Sequence, residues 1–308
     1  MATKHEVAQE ILEMRNTAQD IVRRKYLKEL AEYTGRDTLL YCTAYSTPQA
    51  NGVPSNVLSI IPDDMQGFMT AIHGLHNEEL DIIIHSPGGS VEAVEQIINY
   101  LRSKYKHIRA IIPQSAMSAA TMLACACDEI LMGRHSAIGP IDPQLTMPVQ
   151  NGIPFTAPAH SIISEFEQAK AEITANPSVA PLWIPKLCSL PSGILDICSK
   201  TIQLAKNRVT LWLESYMFKN DSDKHNKAAQ IAEWLGTYSN HLTHGRPISY
   251  AIAKSQGLVV TPLEDDQNLQ EKVLTVYHAA IVTIETTNCV KIIENHNGIG
   301  VFSQINRK

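Results

Sequence analysis

The stretch IIIHSPGGSVEA, residues 82–93, sets an apolar run directly against Ser86-Pro87-Gly88-Gly89 and then opens a segment with helical spacing. A short apolar run closed by such a turn signal reads as a buried strand. Two successive glycines permit backbone conformations and close approaches that a side chain forbids. The loop is either a plain strand-to-helix turn or a place where backbone N–H groups face something negative.

The same alternation continues on both sides. TLLYCTAYS (38–46), LDIIIH (80–85), HIRAIIP (107–113) and EILM (129–132) read as strands. PDDMQGFMTAIHGL (62–75, with Asp63 or Asp64 as N-cap), VEAVEQIINYLRS (91–103) and AATMLACAC (119–127) read as helices between them. Short connections between alternating strands and helices imply parallel βαβ units covered by helices. Residues 133–158, with many Gly and Pro, read as a long loop of the kind that forms binding sites. Helices are predicted over 160–175, 193–219, 223–236, 247–256 and 266–287, and a closing hairpin over 289–303, turning at Asn297-Gly298. At the other end, Val7, Ile11, Met14, Ala18, Ile21, Val22, Leu27 and Leu30 give residues 5–33 the spacing of an amphipathic helix closed by Gly35. Its apolar face suits the body of the protein, a partner subunit or a membrane surface; the mixed charge of its other face favours packing. The expected organisation is an N-terminal helix (1–36), a central α/β unit (37–262) and a C-terminal helix and hairpin (263–308).

Composition narrows the function classes. The 308 residues are 44% hydrophobic and 19% charged, with a formal net charge of −5 and 6% aromatics. An acidic, aromatic-poor chain is a poor nucleic-acid binder. The six cysteines are scattered through apolar segments and read as buried reduced thiols. There is no uncharged apolar run of ~18 residues, which gives the expectation of a soluble cytoplasmic protein without a transmembrane segment. Neither G-x-x-x-x-G-K-[ST] nor H-E-x-x-H occurs, so no cofactor and no metal is expected.

A second strand end, HIRAIIP, leads into QSAMSAATMLACA. Ser118 stands there at a helix start among Ala116, Ala119 and Ala120. Two readings fit the local residues: an ordinary N-cap, or a nucleophile whose developing oxyanion meets free helix N–H groups.

SPGG followed by AMSAA, with Ser118 29 residues after Gly89 (118 − 89), resembles the Clp/crotonase superfamily. ACDEILMGRHSAIGPIDPQ (126–144), THGRPISYAIAKSQGL (243–258) and TTNCVKIIENHNG (286–298) extend the likeness. Within the superfamily the chain is similar to the serine dehydrogenase proteinase family, relatives of signal peptide peptidase A. The resemblance implies a parallel sheet of repeated ββα/βαβ units with a helix-rich C-terminal half. It implies a serine endopeptidase acting on protein or peptide substrates, with Ser118 as nucleophile and an oxyanion hole from Gly88 or Gly89 and Ala119. It also implies a homo-oligomer. The Clp subunit places its histidine before a proline, where this chain has GPIDPQ (139–144), so Asp142 reads as a loop-shaping residue. Signal peptide peptidase A uses a serine and a lysine, and Lys170, 52 residues after Ser118 (170 − 118), is the implied general base. Lys170 falls within the apolar stripe of Ile162, Ile163, Phe166 and Ile173, where burial would depress its pKa. His135 and His160 are alternative bases. A crotonase-type acyl-CoA enzyme and a non-catalytic scaffold are the competing functions.

Overall fold

The computed structural model of the chain describes residues 18–147 and 155–305. The N-terminal helix is present as α1, Ala18–Thr34; the rest of the predicted 5–33 segment lies outside the described residues.

Seven strands form the main sheet, in the order β10-β5-β3-β2-β1-β11-β12. They are β1 Asp37–Thr43, β2 Glu79–His85, β3 His107–Ile112, β5 Glu129–Met132, β10 Val260–Pro262, β11 Cys289–Asn295 and β12 Gly300–Gln304. The first five run parallel, while β11 lies antiparallel to β1 and β12 antiparallel to β11. Along β1, Leu39 and Tyr41 enter one hydrophobic core, and Leu40 and Cys42 enter another. Ile82 and Ile84 against Ile83, and Ala110 and Ile112 against Ile111, divide in the same way. A strand buried on both faces must be apolar at every position, which is why these strands read as continuous runs rather than as alternating ones.

On the first face lie α2 (Asp64–Ile72), α3 (Val91–Lys104) and α4 (Ala119–Cys125). Further from the sheet are α5 (Ala159–Ala175), α6 (Ala180–Cys188), α7 (Ile194–Trp212) and α8 (Lys224–Gly236). A short α9 (Tyr250–Ser255) precedes β10. On the second face α1 packs against α10, Gln267–Thr286. The first-face helices connect successive parallel strands, as the alternation predicts.

From 263 onward, α10 covers the second face and β11 pairs with β1, covering what would otherwise be an exposed sheet edge. One expectation changes. The predicted 133–158 loop contains short strands, β6 Ala137–Ile138, β7 Gln144–Met147 and β8 Phe155–Pro158. β7 and β8 pair with each other, and β6 lies between β4 (Ser115–Ala116) and β9 (Ile248–Ser249) in a separate three-stranded sheet. These pieces are too short and too Pro-rich for a periodicity to register. Among the described residues no helix is long and apolar enough to cross a membrane.

Candidate active site

The chain makes a sharp turn at Ser118. After β4, Ser118 has φ 52° and ψ −122°, one of two non-glycine residues with positive φ among those described. Such a conformation costs roughly 1–3 kcal/mol and persists only where the surroundings hold it. Here they do. The Ser86 N–H donates to Ser115 O at 3.1 Å and the Met117 N–H to Ser86 O at 2.9 Å, tying the turn to the SPGG loop. Helix α4 begins at the next residue, and all seven of its residues are buried. The Thr121 hydroxyl donates to Ala116 O at 2.8 Å and accepts the Gly139 N–H at 2.9 Å, so a third segment is locked to the same turn. Ser118 itself stays partly exposed. Ala119 offers the first N–H of the helix, a group with no intrahelical acceptor.

The two glycines have different reasons to be glycine. Gly88, at φ +101°, lies against the turn: a Cβ there would stand 2.6 Å from Met117 O, 2.7 Å from Ser118 Cβ and 2.8 Å from Ala119 N. Gly89, at φ +152°, lies against Ile60, where a Cβ would come within 2.2 Å of the carbonyl oxygen. The pair is a thin wedge between Ile60 and Ser118. The close approach that demands Gly89 is made by the chain's own backbone.

A second set of polar groups follows the strands of the three-stranded sheet. Its register pairs Ala116 with Ile138, and Ile138 with Ile248. Beyond these strands two side chains meet: His244 Nδ1 is 2.9 Å from Asp142 Oδ1. Asp142 is fully buried, and its other oxygen accepts from Gln144 Nε2 at 2.8 Å. His244 is 26% exposed. A neutral imidazole that donates from Nδ1 to a carboxylate keeps the Nε2 lone pair free to take a proton. His244 lies within THGRPISYAIAKSQGL, but nothing local marks it as a partner of a residue 102 positions earlier.

The other candidate bases fall in three places. His135 is exposed and donates from Nε2 to Pro113 O at 2.9 Å, so it caps the end of β3. His160, near the start of α5, is half-buried with an unpartnered Nδ1. Burial lowers its pKa, Lys206 pushes the same way, and Asp142 and Glu233 oppose them. Lys170 corrects an expectation. Its side chain is 67% exposed and 3.6 Å from the equally solvated Glu167. Helix α5 buries Ala159, Ile162 and Ala169 only, a narrower stripe than the spacing predicts. It leans on α7 over a small cluster with Ile194 and Cys198, leaving Lys170 on the open flank.

The Ser118 turn holds a serine at positive φ, a glycine pair against it and a helix-initial amide, and an aspartate–histidine pair lies in the segment that Gly139 ties to it. That inventory suits acyl transfer through a covalent intermediate. The model of the ClpP-like SDH-type serine proteinases matches residues 11–293. Among curated proteins, Uncharacterized protein MJ0137 of Methanocaldococcus jannaschii is 28% identical over 256 residues, covering 83% of this chain and 77% of that one. Uncharacterized protein MJ1495 of the same organism is 29% identical over 185 residues, covering 59% and 51%. Among solved structures, a variant of the 1510-N membrane-bound stomatin-specific protease aligns over 70% of this chain and 79% of its own. The identity is 18% and the TM-score 0.40. A second variant of it, in complex with a substrate peptide, aligns over 70% and 75%, at the same identity and TM-score.

Proposed function

We propose that this chain, which belongs to the ClpP-like SDH-type serine proteinase family, hydrolyses peptide bonds through an acyl-enzyme on Ser118, with His244 as general base and Asp142 as the group that orients it. The observation that carries the reading is the 2.9 Å His244–Asp142 pair, with Asp142 three residues beyond Gly139, whose N–H is bonded to Thr121 of the helix that Ser118 opens. Serine, aspartate and histidine then follow one another in the chain in the order used by α/β-hydrolases.

In the first half-reaction Ser118 Oγ attacks the scissile carbonyl carbon and His244 Nε2 takes the hydroxyl proton. The oxyanion forms against the Ala119 N–H and an amide of the Gly88–Gly89 loop, where each preorganised donor contributes about 3–4 kcal/mol. His244 then gives the proton to the leaving nitrogen, and the C–N bond breaks. In the second half-reaction His244 takes a proton from water as its oxygen attacks the ester. Collapse of that intermediate returns the proton to Ser118 and releases the carboxylic acid. Buried Asp142 keeps the imidazole in the productive tautomer and stabilises the transient imidazolium.

A Ser118–Lys170 dyad is the second reading. It needs Lys170 to lose water it keeps in the single chain, and an assembly would be the means. Every residue of α6 lacks burial, with Leu182 80% and Ile184 51% exposed. This supports a homo-oligomer in which another copy covers the α5–α6 flank.

The test is a fluorophosphonate probe with mass-spectrometric site mapping. Covalent labelling at Ser118 is expected, together with loss of proteolysis of an unfolded protein in Ser118→Ala. Asp142→Asn and His244→Ala are expected to lower kcat about 10⁴-fold. A folded Ser118→Ala that cleaves at the wild-type rate removes the assignment.

A further inference from the structure

The glycine loop is held from behind by a buried ion pair that does not touch the reacting atoms. Lys291 Nζ, on β11 and 2% exposed, lies 2.8 and 3.0 Å from the two carboxylate oxygens of Asp64. It also donates to Ser59 O at 2.7 Å. Asp64 accepts the Tyr41 hydroxyl at 2.7 Å and the Ile61 N–H at 3.2 Å. The two side chains therefore fix the backbone on both sides of Ile60. Ile60 passes this on: its N–H donates to Gly88 O at 2.7 Å, and its carbonyl accepts the Ser90 N–H at 2.9 Å. Gly88 then meets Met117, Ser118 and Ala119.

A buried ion pair is weak evidence for stability, because apolar residues of similar volume often do as well. Its geometry here suggests a different use. In a parallel pairing of Ile60 with Gly89, Ile60 spends its own N–H and C=O on residues 88 and 90. The N–H of Gly89 is thereby turned to the side away from Ile60.

We propose that Lys291 and Asp64 are positioning residues for the oxyanion loop, setting the Gly89 amide against Ser118 through the Ser59–Ile61 segment, the Gly88 N–H being spent on Ser86 Oγ at 3.2 Å. The inference rests on Ser118 being the nucleophile. A second buried pair, Arg23 with Glu294, provides the contrast: at 2.7 Å it fastens α1 to β11 and makes no hydrogen bond to the glycine loop.

The experiment compares the full-length wild type with Lys291→Met, Asp64→Leu/Lys291→Met, Tyr41→Phe and Arg23→Met. Fluorophosphonate labelling at Ser118, kcat and KM on an unfolded protein, and amide hydrogen exchange over residues 59–61 and 88–90 are measured well below each variant's Tm. The Lys291 variants are expected to label 10- to 100-fold more slowly, with kcat reduced in step and KM little changed. Their Ile60 and Ser90 amides should exchange at least tenfold faster. Arg23→Met is expected to lose Tm but label at the wild-type rate. A folded Lys291 variant with wild-type labelling, or with unaltered exchange at Ile60 and Ser90, overturns the proposal. If both Lys291 variants fail to fold, the isosteric Tyr41→Phe decides: labelling two- to fivefold slower supports the positioning role, and an unchanged rate overturns it. If the wild type itself is not labelled at Ser118, the catalytic reading falls, while the exchange data still judge the clamp.

Discussion

Helices α4 and α5 both follow loops that carry candidate catalytic residues, and they sit in opposite environments. All seven residues of α4 are buried, whereas α5, with 17 residues, buries three. The first is enclosed between the sheet and the helices over it; the second rests on α7, α6 and the β7–β8 hairpin over a minor cluster. Around α4 the backbone is over-determined, so a serine can be held at positive φ and a glycine pressed within contact of it. Around α5 solvent reaches most side chains, and charged groups keep the partners and hydration of an ordinary surface. The same residue types acquire different chemistry from the layer that covers them.

The glycines allow the largest effect to be placed on that contrast. Gly88→Ala sets a Cβ 2.6–2.8 Å from Met117 O, Ser118 Cβ and Ala119 N, at φ +101°. None of these atoms is the end of a flexible side chain. We expect kcat to fall on the order of 10²–10³-fold, the cost of a misplaced oxyanion donor, and Tm to fall with it. Gly193→Ala, at the start of α7 in the peripheral region, has a similar φ of +79° but nothing within 4 Å. It should cost about 1–2 kcal/mol of stability for the left-handed backbone and leave kcat unchanged. Equal effects of the two substitutions on kcat would erase the distinction.

What was legible in the chain follows the same division. Strands β1, β2, β3 and β5 and helices α2 to α4 are visible because each is a run long enough to show its period, and burial on both faces makes the strands uniformly apolar. Ser118 and Gly88 are visible because backbone demands confine them to small or glycine residues nearby in sequence. His244 is not, because its partner Asp142 lies 102 residues away and meets it only in the folded chain. The burial expected of Lys170 is not met for the complementary reason: helical spacing gives the direction of a side chain relative to its neighbours, but not whether anything packs there. Cys188, exposed while the other five cysteines are buried, departs from expectation on that same flank.

A smaller effect concerns His85, directly before the SPGG loop. Its ring is fully buried, with Nε2 2.7 Å from Ser46 Oγ, and burial pushes its pKa down to about 4. The imidazole is therefore neutral in the folded protein, while the unfolded chain protonates near ~6.5. Between those values the unfolded state binds more protons. Stability is fully present above roughly pH 6.5 and is lost as pH falls toward about 4, by about 3 kcal/mol. Tm measured over that window should fall less in His85→Gln than in the wild type. Parallel curves would assign the acid loss to other groups, such as His160 and His241, whose pKa values burial also lowers.

The smallest expected effect is at Lys170, and it is the one that tests the peripheral region most directly. In the single chain Lys170 makes one exposed contact, 3.6 Å to Glu167 in an i,i+3 relation. Exposed helix pairs of that kind contribute about 0.2–0.5 kcal/mol. Lys170→Ala should therefore change stability by a few tenths of a kcal/mol and leave kcat within about twofold, while His244→Ala lowers kcat about 10⁴-fold. The comparison has to be made at two protein concentrations with the mass measured by light scattering. If assembly covers α5 and α6, Lys170 can lose its water only in the assembled form. A collapse of activity in Lys170→Ala confined to the assembled protein, with His244→Ala still active, would replace the aspartate–histidine pair with a serine–lysine dyad completed between copies. Activity retained at both concentrations leaves α5 as a surface helix and the proton transfer with His244.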